Sequence, residues 1–279
     1  MAEVTSLAVG AAPMDAYTNF LLAQLFNHPN NNAQEKVQEA INPRTADDGK
    51  ITGILSFREE KTGRAVGLPT YDVVIFCDEK RLFPLEGNTN WVFDSVLEDT
   101  QKTETLTYCK KSFMYAQRFE RHADSIQICP WFLQYIKSKK YHTNEDLTSY
   151  RARLAVAGID KLITKAIYKP IDLMSLWDKC MLHEMMHTKS GMKKNDVGGT
   201  SGYGWKNCKK LSTGPKWYDN ADSYAILGNA LYWNSKGSEI NSDGKFTIPP
   251  LTAKRRNWLG SGAGRGLDAI KLDATKQLI

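Results

Sequence analysis

The chain has 279 residues, 42% of them hydrophobic and 24% charged, which is ordinary for a globular fold of one large domain or two small ones. Its net charge of +6 is scattered over short clusters such as KAIYK, KNCKK and AKRRNW, with no recognised nucleic-acid motif beside them, so no nucleic-acid partner is expected. No apolar run approaches the roughly 20 residues that cross a bilayer, so membrane insertion is not expected either.

Residues 1–14 are small and aperiodic and read as a flexible N-terminus. They lack a basic segment followed by a full apolar core, and so do not read as a signal peptide. Asp15 is placed to cap a helix over AYTNFLLAQLF, where Tyr17, Phe20, Leu21 and Leu25 fall at helical spacing. NNNAQEKVQEAIN reads as a second short helix ended by Asn42-Pro43, so that 15–45 forms a helical N-terminal segment. The character changes between about 51 and 130. ITGILSF, YDVVIFC, WVFDSVL and DSIQICPWF are short β-branched and aromatic runs between turn residues, and each is a strand candidate.

Beyond residue 145 the helical spacing returns. LTSYRARLAVAGIDKLITKAI carries an apolar stripe, and DLMSLWDKCMLHEMMHTKSG reads as a helix stopping near Gly191. The Gly-rich loop DVGGTSGYGWKNC and a last helix, DNADSYAILGNALYWNS, follow. Residues 251–279 are Gly-rich and read as a poorly packed tail. Strands followed by helices predict an α+β fold, with a single domain over 15–250.

The segment His183-Glu-Met-Met-His187 carries the chemistry. On a helix the two histidines lie one turn apart on one face and can reach one metal ion. Glu184 is rotated about 100° from His183 and projects beside such an ion, where it can hold a water and accept its proton. This is the H-E-x-x-H arrangement of zinc peptidases. The competing reading is a partly buried helix whose histidines make ordinary hydrogen bonds.

A catalytic zinc takes a third protein ligand and keeps one position for water. No histidine follows His187, and Lys193 stands where a metzincin has its third histidine; the gluzincin and aspzincin patterns use a downstream Glu or Asp instead. Asp196 and Glu239 read as loop residues, Asp243 lies in a turn, and Asp268 and Asp273 fall in the tail. That leaves the start of the last helix, with Asp219 as its N-cap and Asp222 in its first turn aimed at the HEMMH helix. Asp222 is the expected ligand, although it could equally stabilise its own helix as a capping acid. Tyr224 and Tyr203 are candidates for hydrogen-bonding the developing oxyanion, and either could instead be a core aromatic. Tyr224, two residues past Asp222, is carried forward as the expected catalytic tyrosine.

With IQICPWF, HEMMH and NADSYAIL in that order over roughly residues 70–235, the chain resembles the fungal secreted zincin-type metallopeptidases of the deuterolysin and lysine-specific metallo-endopeptidase (aspzincin) group. It departs from the deuterolysin signature G-T-x-D-x-x-Y-G, having N-A-D-S-Y-A-I-L instead. The resemblance implies a zincin-like fold, a small mixed sheet packed on the active-site helix and further helices. It implies a secreted endopeptidase acting on protein or peptide substrates. One catalytic Zn²⁺ would be held by His183, His187 and Asp222, with Glu184 as general base. A non-catalytic zinc-binding or host-protein-binding protein on the same scaffold is the alternative. The resemblance also implies disulfides: Cys77 with Cys109, and one pair among Cys129, Cys180 and Cys208.

Overall fold

The computed structural model describes residues 15–27, 32–41, 44–45, 51–52, 68, 70–102, 105–110, 112–138, 169–173, 176–235 and 238–247. The expected N-terminal segment 1–14, the helix expected over 147–167 and the Gly-rich tail lie outside these residues.

The first two helices form where the apolar spacing predicts them. Helix α1 spans Ala16–Leu25, and the Asp15 carboxylate caps it by accepting the Thr18 backbone N–H at 2.8 Å. Its Leu21, Leu22 and Leu25 are buried. Helix α2 (Ala33–Ile41) adds Val37 and Ala40 to the same core. Two-residue strands β1 (Arg44–Thr45) and β2 (Ile51–Thr52) pair antiparallel.

Two three-stranded sheets follow. Strands β4 (Leu82–Leu85), β5 (Asn88–Asp94) and β6 (Asp99–Lys102) make an antiparallel meander. The other sheet has the order β3 (Val73–Phe76), β8 (Asp124–Ile128), β7 (Met114–Gln117). Its central strand β8 runs parallel to β3 and antiparallel to β7, so this sheet is small and mixed. Every residue of β8 is buried, as a central strand covered on both faces requires. Between β6 and β7 lies the one-turn helix α3 (Thr105–Tyr108).

The run DSIQICPWF divides in two. It is a strand only as far as Ile128, and Pro130 then opens helix α4 (Pro130–Lys137), because a proline is tolerated at the first helical position. The disulfide is here, between Cys109 and Cys129, with Cα atoms 5.1 Å apart. This corrects the expected Cys77–Cys109 pairing. Met114 is in register with Ile128, and the Cys129 N–H donates to the Phe113 carbonyl, so the loop entering β7 brings Cys109 alongside Cys129. Cys77, at the exposed end of β3, is a free thiol, as are Cys180 and the buried Cys208.

The remaining described elements are the short helix α5 (Pro170–Leu173), the HEMMH helix α6 (Leu176–His187), a 3₁₀ turn (Gly199–Gly202), helix α7 (Trp205–Leu211), helix α8 (Ala221–Ser235) and the hairpin β9 (Glu239–Ile240) and β10 (Phe246–Thr247). The sheets and helices together make the fold α+β. Helix α8 is buried on all sides from Ala221 to Trp233, which explains why its apolar residues are not confined to one stripe. Helix α6 lies between α8 and strand β7. Its Met186 joins the core built by α1, α2, α7 and α8, while Trp177, Cys180 and Met181 pack on the second cluster around Phe132 and the disulfide. No described helix is long and apolar enough to cross a membrane.

Candidate metal centre

The end of α6 is fastened to the mixed sheet. Asp124, the first residue of β8, accepts the Lys189 backbone N–H at 2.6 Å, and the Lys189 ammonium pairs with the same carboxylate at 3.2 Å. That ammonium also donates to the carbonyls of Phe119 and His122. The Ser190 hydroxyl donates to the Tyr71 carbonyl at 2.8 Å. The histidine-bearing turn is therefore held from outside its own helix.

The chain then reverses at Gly191. A Cβ there would stand 2.1 Å from the Met185 carbonyl oxygen and 2.6 Å from the Met186 Cα, so no side chain fits between this turn and the helix. The reversal lets Lys194 N–H donate to the Met186 carbonyl, and places the Lys194 carbonyl 2.7 Å from His187 Nδ1. A carbonyl only accepts, so His187 carries its proton on Nδ1 and turns Nε2 outward. One residue further, Asn195 is clamped against the start of α8: its N–H donates to the Asp219 carbonyl, and its carbonyl accepts from Ala221. Asp196 is thereby fixed opposite the two imidazoles.

Three donor atoms converge. His183 Nε2 lies 3.1 Å from His187 Nε2 and 3.1 Å from Asp196 Oδ1, and His187 Nε2 lies 3.5 Å from the same oxygen. A tetrahedral ion with bonds of about 2.1 Å holds its ligands about 3.4 Å apart, so this triangle has the size zinc requires. Two nitrogens and a carboxylate oxygen also suit the chemistry of that ion. Among the described residues, His183, His187 and Asp196 are the group that meets this geometry.

The charges of the three groups are coupled. Burial opposes the charged form of His183, yet the Asp196 and Asp222 carboxylates outweigh it and push its pKa up to about 10. Asp196, despite the desolvation that opposes its charge, is held well below the usual carboxylate range by the two histidines. Glu184 is 8% exposed. Burial raises its pKa against the lowering pull of His183 and His187. A cleft of about 290 Å³ opens over the group, lined by β7, Glu184, both histidines, Asp196 and Tyr203 among others.

The structure brings His183, Glu184 and His187 together as the spacing predicts. It does not add Asp222 or Tyr224. Asp222 approaches His183 from behind, with Oδ1 3.4 Å from Nδ1, and so cannot share an ion held at Nε2 of the same ring. Helix α8 starts at Ala221, one residue later than a cap at Asp219 requires, and Asp219 instead accepts the Asn195 side-chain amide at 2.8 Å. Tyr224 is a core residue: it is 2% exposed, packs its ring on Phe26, and donates its hydroxyl to the Tyr218 carbonyl at 2.8 Å. Two tyrosines line the cleft, Tyr115 of β7 and Tyr203, and the Tyr203 ring stands 5.4 Å from that of His183. Burial, followed by the charge of Asp196, raises the pKa of its phenol. At neutral pH that group is a hydrogen-bond donor.

Asp196 reads from sequence as a loop acid. The signal that points to it is the glycine at 191, close enough behind His187 to fold the following residues back along the helix. The chain matches no protein-family model, no curated protein and no solved structure.

Proposed function

We propose that the protein is a zinc-dependent endopeptidase of zincin-like architecture, with His183, His187 and Asp196 as ligands of one ion. The observation that carries this reading is the donor triangle of 3.1, 3.1 and 3.5 Å on the floor of an open cleft, with the buried Glu184 beside it. A zinc ion held there supplies a Lewis acid for the scissile carbonyl and lowers the pKa of water from about 15.7 toward 7. The side chains supply the rest. Glu184, with its raised pKa, takes a proton from the attacking water and returns it to the leaving amine. Tyr203, protonated and at the cleft wall, donates a hydrogen bond to the substrate oxygen as charge develops on it.

Glu184 is also what favours an enzyme over a zinc carrier, since holding the ion does not require a buried carboxyl beside the ligands. The substrate class is protein or peptide, and the Cys109–Cys129 disulfide fits an oxidising compartment and hence secretion. The test is to purify the protein, measure its zinc, and follow casein cleavage before and after chelation. We expect one zinc per chain, cleavage lost on chelation and cleavage restored by added zinc. Bound zinc without cleavage would overturn the peptidase reading, and no zinc uptake would overturn the metal centre.

A further inference from the structure

The Asp222 carboxylate is 3% exposed and serves more than one element. Its Oδ1 faces His183 Nδ1 at 3.4 Å and the Lys179 ammonium at 3.7 Å, both one turn apart on the same face of α6. Its Oδ2 accepts the Gly204 backbone N–H at 2.7 Å. Gly204 directly follows Tyr203, and its φ of +82° is a conformation that side-chain-bearing residues rarely adopt. A Cβ on Gly204 would also stand 3.1 Å from the Asp172 carboxylate, which itself accepts the Trp205 N–H at 2.7 Å. The backbone just beyond Tyr203 is thus fixed by two buried carboxylates, and one of them also touches the first histidine.

We propose that Asp222 is a positioning residue that couples the metal centre to the cleft tyrosine: one oxygen fixes the His183 ring with its proton on Nδ1, leaving Nε2 for the ion, and the other fixes Gly204 and with it Tyr203. The inference rests on the zinc-site reading for the role of Nε2. Its physical basis is that both neighbours, the imidazole Nδ1–H and the amide N–H, are donors, so both need an acceptor. An ionised carboxylate offers two acceptor oxygens and an amide offers one. In Asp222→Asn the single oxygen can face Gly204, which turns the NH₂ group toward His183 and favours the tautomer whose Nε2 is blocked by a proton. Otherwise it faces His183 and Lys179, and the Gly204 N–H is left without its partner. The isosteric change therefore breaks one half of the coupling whichever way the amide turns. Outer partners of metal-bound histidines typically contribute about 10–100-fold to metal affinity.

The experiment combines histidine-labelled and amide-labelled NMR with zinc titration against a competing chelator, on wild type and Asp222→Asn. In wild type we expect a slowly exchanging His183 Nδ1–H and a protected, low-field Gly204 amide, with or without metal. In Asp222→Asn we expect at least one of these signals to shift and lose protection, and zinc affinity to fall about 10–100-fold. The proposal is overturned if both signals and the zinc affinity of Asp222→Asn match wild type, or if wild type itself shows neither signal; the second outcome needs no folded variant. Failure of wild type to take up zinc sinks the metal reading separately, since the two signals of the metal-free chain still decide whether Asp222 holds both groups.

Discussion

Glu184→Gln is expected to abolish peptide cleavage while leaving zinc bound. Glutamine keeps the size and shape of the side chain, and the three donor atoms belong to His183, His187 and Asp196, so the ligand triangle loses no contact. What it loses is the ability to take a proton. Positioned acid–base groups contribute about 10²–10⁴-fold, and here one side chain both receives the proton from water and delivers it to the amine. The expected result is a fall in kcat/KM within or beyond that range, with zinc stoichiometry and thermal unfolding unchanged. Steady-state cleavage of a fluorogenic peptide, together with metal analysis, checks it. A variant that keeps its activity would mean that another group handles the proton.

Asp196→Ala is expected to cost the protein most of its zinc affinity, and more than Asp222→Asn does. The substitution removes one of three donor atoms and leaves His183 Nε2 and His187 Nε2 facing each other at 3.1 Å without the Asp196 oxygen that completes the triangle. Losing an outer partner costs about 10–100-fold in metal affinity, so the loss of a direct ligand should exceed the upper end of that range. The side chain of Asp196 is 36% exposed, and the loop is held mainly through the backbone of Asn195, so its removal should change stability little. Zinc competition titrations on the two variants give the comparison. An Asp222 variant losing more zinc than the Asp196 variant would reverse the assignment of ligand and outer partner.

The parts of the molecule that were legible in sequence are those with local causes. The Asp15 cap, the stripe of Leu21 and Leu25, and the HEMMH face of α6 all follow from spacing within one or two turns. The α+β class followed from the order of strands and helices, and the small mixed sheet predicted by the resemblance is present in β3, β8 and β7. What could not be read depends on how distant segments meet. Asp196 looks like any loop acid until the chain turns at Gly191 and Asn195 docks on Asp219 and Ala221.

The stretch Asn220-Ala221-Asp222 ties a loop to the start of α8. Asn220 donates to the Gly202 carbonyl and accepts from Val197, and Asp222 accepts from Gly204, so the motif binds the loop that carries Asp196 and Tyr203. The first-turn carboxylate of Asp222 does face α6, at His183 and Lys179. Which ring nitrogen it meets depends on the rotation of α8 against α6, and no local pattern encodes that. Tyr224 illustrates the same limit, since a helix buried all round gives no periodicity from which to choose an outward face. The disulfide likewise required the register of β7 on β8 to bring Cys109 to Cys129.

The most direct test of the metal centre is zinc anomalous diffraction from crystals of the metal-loaded protein. The account predicts a single peak about 2.1 Å from His183 Nε2, His187 Nε2 and a carboxylate oxygen of Asp196, with Asp222 still on Nδ1 of His183. A peak coordinated by Asp222 instead of Asp196, or no peak between the two imidazoles, would contradict it.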